Sequence, residues 1–190
     1  TLRAQKSVAA NDPDPAFTLN GTSNTFWVRP AELQLSAKSS GSDLDGNSAN
    51  ALTTQKAGES FDFVVRALNA TGVVTPNYRP AQLQLQLTRT GPATVTGSEG
   101  VLTYASSTSL TTALAGSAAF QNATLESFVG GPLGNGVSQF TGANYSEVGL
   151  INLDIQDINY GGPLDPILGN ALDIGRFYPD HFDVSLMPAS

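Results

Sequence analysis

Apolar and polar residues alternate with a period of two along most of the chain, which is the pattern of a pleated strand with one buried face. Ala31-Glu32-Leu33-Gln34-Leu35-Ser36-Ala37 alternates small or apolar with polar residues. Phe61-Asp62-Phe63-Val64-Val65-Arg66-Ala67 puts Phe61, Phe63, Val65 and Ala67 on one side. Gln82-Leu83-Gln84-Leu85-Gln86-Leu87-Thr88 repeats Gln-Leu three times. That spacing scatters leucine around a helix but lines one face of a strand. Further strands are expected at Thr94-Val95-Thr96, at Val101-Leu102-Thr103-Tyr104, over residues 117–125, and over residues 149–156, where Ile151, Leu153 and Ile155 share a face. Residues 107–115 suit either a short helical turn or, on their Thr content, an edge strand.

Gly and Pro clusters separate these runs, among them Ser39-Ser40-Gly41-Ser42, Asn69-Ala70-Thr71-Gly72, Thr90-Gly91-Pro92, the Gly-rich stretch 130–136, and Tyr160-Gly161-Gly162-Pro163. Gly supplies positive φ and Pro fixes φ near −65°, so both punctuate strands. Seven or more short strands punctuated in this way predict an all-β, immunoglobulin-like antiparallel β-sandwich. The Cys pair and central Trp of antibody domains are missing from it.

An internal echo bears on organisation. Val28-Arg29-Pro30-Ala31-Glu32-Leu33-Gln34-Leu35-Ser36 is answered near the other end by Phe177-Tyr178-Pro179-Asp180-His181-Phe182-Asp183-Val184-Ser185. Each has a Pro, suited to the first position of an edge strand, then an apolar pair two residues apart, then Ser. The expected organisation is an extended linker or N-terminal arm over 1–25, a β-sandwich module over 26–178, and the opening strand of a following module over 179–190.

Composition narrows the function. Of 190 residues, 13% are charged and 40% hydrophobic, while 18 Ser, 18 Thr and 13 Asn supply neutral polarity. The net charge of −7 and pI near 4.4 exclude a nucleic-acid binder, which needs clustered Lys and Arg, and a basic membrane contact. No apolar run is long enough for direct membrane insertion. With no Cys, disulfides, cysteine zinc sites and thiol catalysis are all excluded. The chain starts at Thr1 without a leader pattern and reads as a mature or excised segment.

Two runs carry a family resemblance. The first is Lys56-Ala57-Gly58-Glu59-Ser60-Phe61-Asp62-Phe63 with Val65-Arg66-Ala67-Leu68-Asn69-Ala70-Thr71-Gly72-Val73-Val74-Thr75-Pro76-Asn77-Tyr78. It resembles the opening of bacterial immunoglobulin-like modules. The second is Glu147-Val148-Gly149, Asp157-Ile158-Asn159-Tyr160-Gly161 and Gly175-Arg176-Phe177-Tyr178-Pro179-Asp180-His181-Phe182. It is similar to the C-terminal signature of the repeated domain of MshQ-like proteins, a family of the biogenesis locus of the mannose-sensitive haemagglutinin pilus, a type IV pilus of Gram-negative bacteria. The resemblance spans roughly residues 26–185. It implies an extracytoplasmic structural or spacer module of a pilus-biogenesis or adhesive surface protein, at the bacterial surface, outer membrane or pilus. It brings no catalytic residues. The implied partners are adjacent modules of the parent protein or pilus components.

Candidate chemistry is sparse. His181, the single histidine, stands between Asp180 and Asp183, carboxylates able to orient an imidazole. No Gly-x-Ser-x-Gly elbow accompanies it, and in a strand Asp180 and Phe182 would point away from it. The acids otherwise lie scattered, so no catalytic residues are assigned and no enzyme or organic cofactor is expected. The sharpest ligand motif is a calcium turn, with Asp43, Asp45 and Asn47 offering oxygen ligands around Gly46. Position twelve of an EF-hand loop counted from Asp43 would need Glu and is Thr54; Asx-rich turns also cap their own backbone. Sequons occur at Asn20, Asn69, Asn122 and Asn144. Trp27, Tyr78, Tyr145, Tyr160 and Tyr178 are the aromatics available to a carbohydrate platform, with domain and turn contacts as their alternative role. The rival functional reading is a glycan- or protein-binding adhesin module using loops 38–55 and 129–146. A terminal opening strand would also leave an edge open to self-association.

Overall fold

A computed structural model describes residues 1–10, 16–24, 28–46, 55–80, 83–92, 99–107, 110–116, 119–123, 136–160 and 165–185. The strands among them are β1 (Arg3–Val8), β2 (Phe17–Thr22), β3 (Glu32–Ser39), β4 (Ser42–Asp43), β5 (Gln55–Lys56), β6 (Phe61–Leu68), β7 (Leu83–Gly91), β8 (Val101–Ser107), β9 (Leu110–Ala115), β10 (Gln121–Ala123), β11 (Val137–Tyr145), β12 (Gly149–Asp157) and β13 (Ile167–Tyr178). Among the described residues no helix is long and apolar enough to cross a membrane.

The protein is an all-β sandwich. One sheet has the order β4-β3-β6-β11-β8-β9, the other β10-β7-β12-β13-β5, and β1 pairs with β2 apart from both. Pairing is antiparallel except between β13 and β5. In chain order, β3-β6-β11-β8 opposite β7-β12-β13 has the arrangement of strands A-B-E-D over C-F-G in the immunoglobulin sandwich.

The period-two runs become the facing walls. Leu83, Leu85 and Leu87 of β7 are buried while Gln84 and Gln86 lie on the outer side. Ile151, Leu153 and Ile155 of β12 are each at most 1% exposed. Across the interior they meet Leu35, Phe63, Leu102, Tyr104 and Phe140, the last two in an edge-to-face contact at 5.4 Å. Residues 110–115 take the edge-strand alternative, paired with β8.

The sandwich is closed along one side by a chain crossing. After β4, the Leu44 amide donates to Ala37 O of β3, the Gly46 amide donates to Leu172 O of β13, and the Gly175 amide donates to Leu44 O. Residues 44–46 therefore leave the first sheet and become a border of the second, and β5 continues that border parallel to the end of β13. On the same side, β3 and β13 press together so closely that a Cβ on Gly169 would lie 1.7 Å from Leu33 O. Only glycine permits this contact.

Four strand regions differ from the sequence expectation. Loop 38–55, expected to face outward, contains β4 and the first residue of β5 and buries Leu44 and Gln55. Residues 137–145, expected in the outward loop 129–146, form β11 in the middle of a sheet, because Ser138, Phe140, Ala143 and Tyr145 point inward across a bulge at Thr141 and Gly142. The twelve-residue β13 has no counterpart among the expected strands. Residues 1–25, read as a linker or arm, contain a hairpin. Thr94-Val95-Thr96, Trp27, Asn47, the loop tips 47–54 and 129–135, residues 117, 118, 124 and 125 of the expected strand 117–125, and residues 186–190 of the expected opening strand lie outside the described residues.

Candidate functional site

Strands β3 and β13 fix where the chain comes in and goes out. Glu32 at the start of β3 pairs with Leu68 at the end of β6, whereas Phe177 near the end of β13 stacks on Phe61 at the start of β6, with centroids 5.5 Å apart. Eight residues of β6 separate these points, about 23 Å of strand. The chain thus comes in at one end of the sandwich and goes out at the other.

The outgoing end contains the Gly175 to Phe182 signature, and the geometry assigns its residues their work. Phe177, 3% exposed, plugs the end of the core between Phe61 and Tyr145. Tyr178 presents its carbonyl to the Ala57 amide at 2.8 Å, so the final residue of β13 is tied to the turn after β5. Asp180 then forms an ion pair with Lys56 at 2.8 Å, and Lys56 is held from the other side by Glu59 at 3.1 Å. The hydrogen bond from Lys56, with a second from His181, holds the Asp180 carboxyl below its ordinary value. Asp180 and then Glu59 raise the Lys56 ammonium correspondingly. His181 Nδ1 lies 3.1 Å from Asp180 and Nε2 lies 3.8 Å from Asp183. The expectation that Asp180 points away from His181 is corrected, because residues 181–185 do not form a strand and the chain bends at Asp180. A groove of about 300 Å³ lies alongside, lined by Pro92, Val148, Leu150, Arg176, Tyr178 and Pro179. His181 is outside this groove, and Phe182 and Val184 stand 84% and 85% exposed.

The incoming end is built on a rigid turn. Asn69 Oδ1 accepts from the amides of Thr71 and Val73 and from the Thr71 hydroxyl. The turn leads to Tyr78, whose ring stacks on Tyr160 at 5.1 Å and whose hydroxyl donates to Asp157 Oδ2 at 2.7 Å. Asp157 is 1% exposed, and its other oxygen accepts from the Asn159 amide. Burial, then the Asp157 hydrogen bond, pushes the Tyr78 phenol far above its ordinary value. At the opposite end, burial pushes Tyr145 up to about 12. The Tyr145 hydroxyl donates to Glu99 O.

A third feature is an open polar groove of about 680 Å³ on the outer face of the second sheet, between Gln86, Asp154 and Asn170 on one side and Glu32 and Gln34 on the other, with Phe120 at its rim. Partial burial raises the Asp154 carboxyl.

The residues of the expected calcium turn have structural partners. Asp43 pairs with Lys38 across the β3–β4 hairpin, and Asp45 Oδ1 accepts from the Ala37 amide at 3.2 Å, holding the crossing between sheets. Asn47 lies outside the described residues. Among those that are described, no three His, Cys, Asp or Glu side chains converge on a common point. Sequence reasoning missed the Lys56–Asp180 pair and the Tyr78–Asp157 pair, since their partners lie far apart in the chain and meet only through strand pairing. The described tyrosines form no shared exposed platform: Tyr78 and Tyr145 are buried and Tyr178 is at the outgoing end.

Comparison with curated proteins and with solved structures yields no match for either. Two family domains do match: the second domain of DUF6701 over residues 29–123 and its third domain over residues 147–190. The first of these alone covers half of the sequence and the second takes in the whole outgoing signature, so the chain belongs to the DUF6701 family.

Proposed function

We propose that the chain is a structural spacer module of a tandem array within an exported surface protein, with no enzymatic role. The observation that carries this reading is that the chain enters the sandwich at the start of β3 and leaves it after β13 at opposite ends. Modules joined there line up end to end instead of folding back. The outgoing segment is also held in place, by the Tyr178 carbonyl and the Lys56–Asp180 pair, so that it leaves in a set direction. Two residues beyond Pro179, the echo of β3 begins. Phe182 and Val184 occupy the positions of Leu33 and Leu35, the first core residues of the sandwich, yet here lie bare. They suit the opening strand of a following module. The likeness of the two signature runs to MshQ-like proteins supports placing the array in pilus biogenesis or adhesion at the bacterial surface, with neighbouring modules or pilus components as partners. A surface carrying neutral amides and hydroxyls in place of charge suits a spacer that must not adhere along its length.

The test is to hold the protein at both ends and pull. A single sandwich over residues 30–178 gives one unfolding event that releases about 500 Å, the extended span of that segment less its folded length. Unfolding in several smaller steps, or extension without a resisting event, would overturn the spacer reading.

A second reading, a glycan-binding module, is favoured by the polar groove of Gln86, Asp154, Asn170, Glu32 and Gln34 beside Phe120, since planar amides and carboxylates with an aromatic rim suit sugar hydroxyls. Amide chemical-shift titration with a panel of neutral oligosaccharides checks it. Shifts confined to these residues would support this reading, and an unchanged spectrum would end it.

A further inference from the structure

The hairpin of β1 and β2 is amphipathic and bare. Opposed pairs Ala4↔Gly21, Lys6↔Leu19 and Val8↔Phe17 put Leu2, Ala4, Val8, Phe17 and Leu19 on one face, and the intervening Arg3, Gln5, Ser7, Thr18, Asn20 and Thr22 on the other. Leu2, Phe17 and Leu19 are 66%, 52% and 58% exposed. Among the described residues the two strands pair with each other and with no other strand. An isolated two-stranded hairpin is marginal in water, so a one-sided apolar hairpin calls for a cover.

The same chain contains a second hairpin that has its cover, β12–β13, and the two correspond in register. Val8↔Phe17 answers Asp157↔Ile167, Lys6↔Leu19 answers Ile155↔Gly169, and Ala4↔Gly21 answers Leu153↔Ala171. The offset is 149 positions in the first strand and 150 in the second, because the connection 158–166 is one residue longer than 9–16. The segments after the two hairpins also correspond: Pro30 and then the Leu33/Leu35 strand in one case, Pro179 and then Phe182/Val184 in the other, again 149 positions apart. The exposed Leu2 and Phe17 thus stand where β12 and β13 bury Ile151 and Ile167 to 0% and 2% exposure. Three positions depart: Lys6 stands where Ile155 would be, Val8 where Asp157 would be, and Leu19 where Gly169 would be, so the first strand of the covering sandwich must lie farther from this hairpin than β3 lies from Gly169; the long stem of Lys6 can lie along an apolar face with the ammonium at the rim. The family comparison agrees in position, since the DUF6701 match that begins at residue 29 is to a second domain, and the hairpin stands just before it.

From this correspondence we infer that residues 1–24 are the closing hairpin of a preceding sandwich of the same architecture, and that their apolar face is the surface on which the earlier strands of that sandwich fold. The inference rests on the tandem reading above and deepens it by naming the partner of that face. The 190 residues then contain the last two strands of one module, one whole module, and the first strand of the next, with a repeat of about 149 positions. The natural protein should accordingly have, about 119 residues before Thr1, a Pro followed by an alternating strand like residues 30–36.

The test follows amide exchange of β1 and β2 together with the variant Leu19→Asp, in the 190-residue chain and in the natural protein extended upstream by one repeat. In the 190-residue chain the hairpin amides should exchange freely, and Leu19→Asp should leave the unfolding midpoint of residues 30–178 unmoved. In the extended protein the same amides should slow about a hundredfold or more, and Leu19→Asp should abolish that slowing without moving the midpoint of residues 30–178. Three results would overturn the inference: a midpoint lowered by Leu19→Asp in the 190-residue chain, which would assign the hairpin to this sandwich; slowing in the 190-residue chain that grows with concentration, which would make a second copy the cover; or free exchange in the extended protein. None of these changes the single unfolding event on pulling, so failure here and failure of the spacer reading are read separately.

Discussion

Replacing Tyr78 by Phe removes one oxygen from a fully enclosed position and leaves the ring, so it isolates the bond to Asp157. The hydroxyl lies 2.7 Å from Oδ2 of a carboxylate that is 1% exposed, and the Tyr78 side chain is 2% exposed. A hydrogen bond to a charged partner contributes about 1.5–3 kcal/mol, and a buried carboxylate that loses it cannot recover the bond from water. Asp157 retains the Asn159 amide at 3.0 Å, so the loss falls short of orphaning it, and about 2 kcal/mol is expected. For a domain of this size, that lowers the thermal midpoint by about 4–8 °C. Urea unfolding should show the midpoint falling with an unchanged slope, since the same surface is exposed on unfolding. A double-mutant cycle with Asp157→Asn should give a coupling above about 1 kcal/mol. A change below about 0.5 kcal/mol at constant slope would refute the reasoning, because it would mean that Asp157 is hydrated in the native state and that the incoming end is not clamped by this pair.

Stability should also fall in alkali. Unfolded tyrosines ionise near pH 10, whereas Tyr145 holds its proton to about 12 and Tyr78 beyond that, so the native state binds more protons above pH 10 and loses up to about 1.4 kcal/mol per pH unit for each phenol. The stabilisation is complete below pH 10 and declines above it. Tyr145→Phe should flatten the slope measured by denaturant unfolding between pH 10 and 12, and an unchanged slope would count against the assignment. Gly169→Ala places a methyl 1.7 Å from Leu33 O and should cost at least about 3 kcal/mol or prevent folding; a midpoint within about 1 kcal/mol of the parent would show that β3 and β13 do not press together as described. Lys56→Met should release residues 179–185, read as faster proteolysis there, while the unfolding midpoint of the sandwich stays put, because the pair is exposed at the surface. A midpoint that drops would place the latch inside the folding unit.

The elements legible in the sequence are those whose strands run straight. Gln-Leu repeats in β7 and the Ile-x-Leu-x-Ile of β12 keep period two from end to end, and both are strands where the pattern predicts them. In β11 the register shifts between Phe140 and Ala143, so the apolar spacing jumps from two to three and the stretch reads as loop. In β13 two shifts in pairing with β12 and the positive φ of Asp173 hide the pattern further; the Asn152 side chain accepts the Asp173 amide at that irregularity. The outgoing signature is visible as a string, but its role is not, since the Lys56–Asp180 pair depends on the short parallel contact of β5 with β13. Asp43 and Asp45 stand out as oxygen-rich, and residue type alone does not reveal that the β3–β4 register hands one to Lys38 and the other to the Ala37 amide.

The way the two DUF6701 matches divide the molecule bears on what can fold by itself. The first segment holds β3 to β10 and the second holds β12 and β13. Yet β12 lies between β7 and β13 in the middle of its sheet, and Ile151, Leu153, Ile155, Ile167 and Ile174 are each at most 2% exposed against side chains of the first segment. Burial of an aliphatic side chain of that size contributes about 1.5–3 kcal/mol, so five of them together rival the whole net stability of an ordinary domain. The core therefore belongs to neither segment alone, and the closing hairpin is the element that completes it. The bare apolar face of β1 and β2 has the same physical origin: a closing hairpin parted from its sandwich keeps the alternation that the sandwich requires and exposes it.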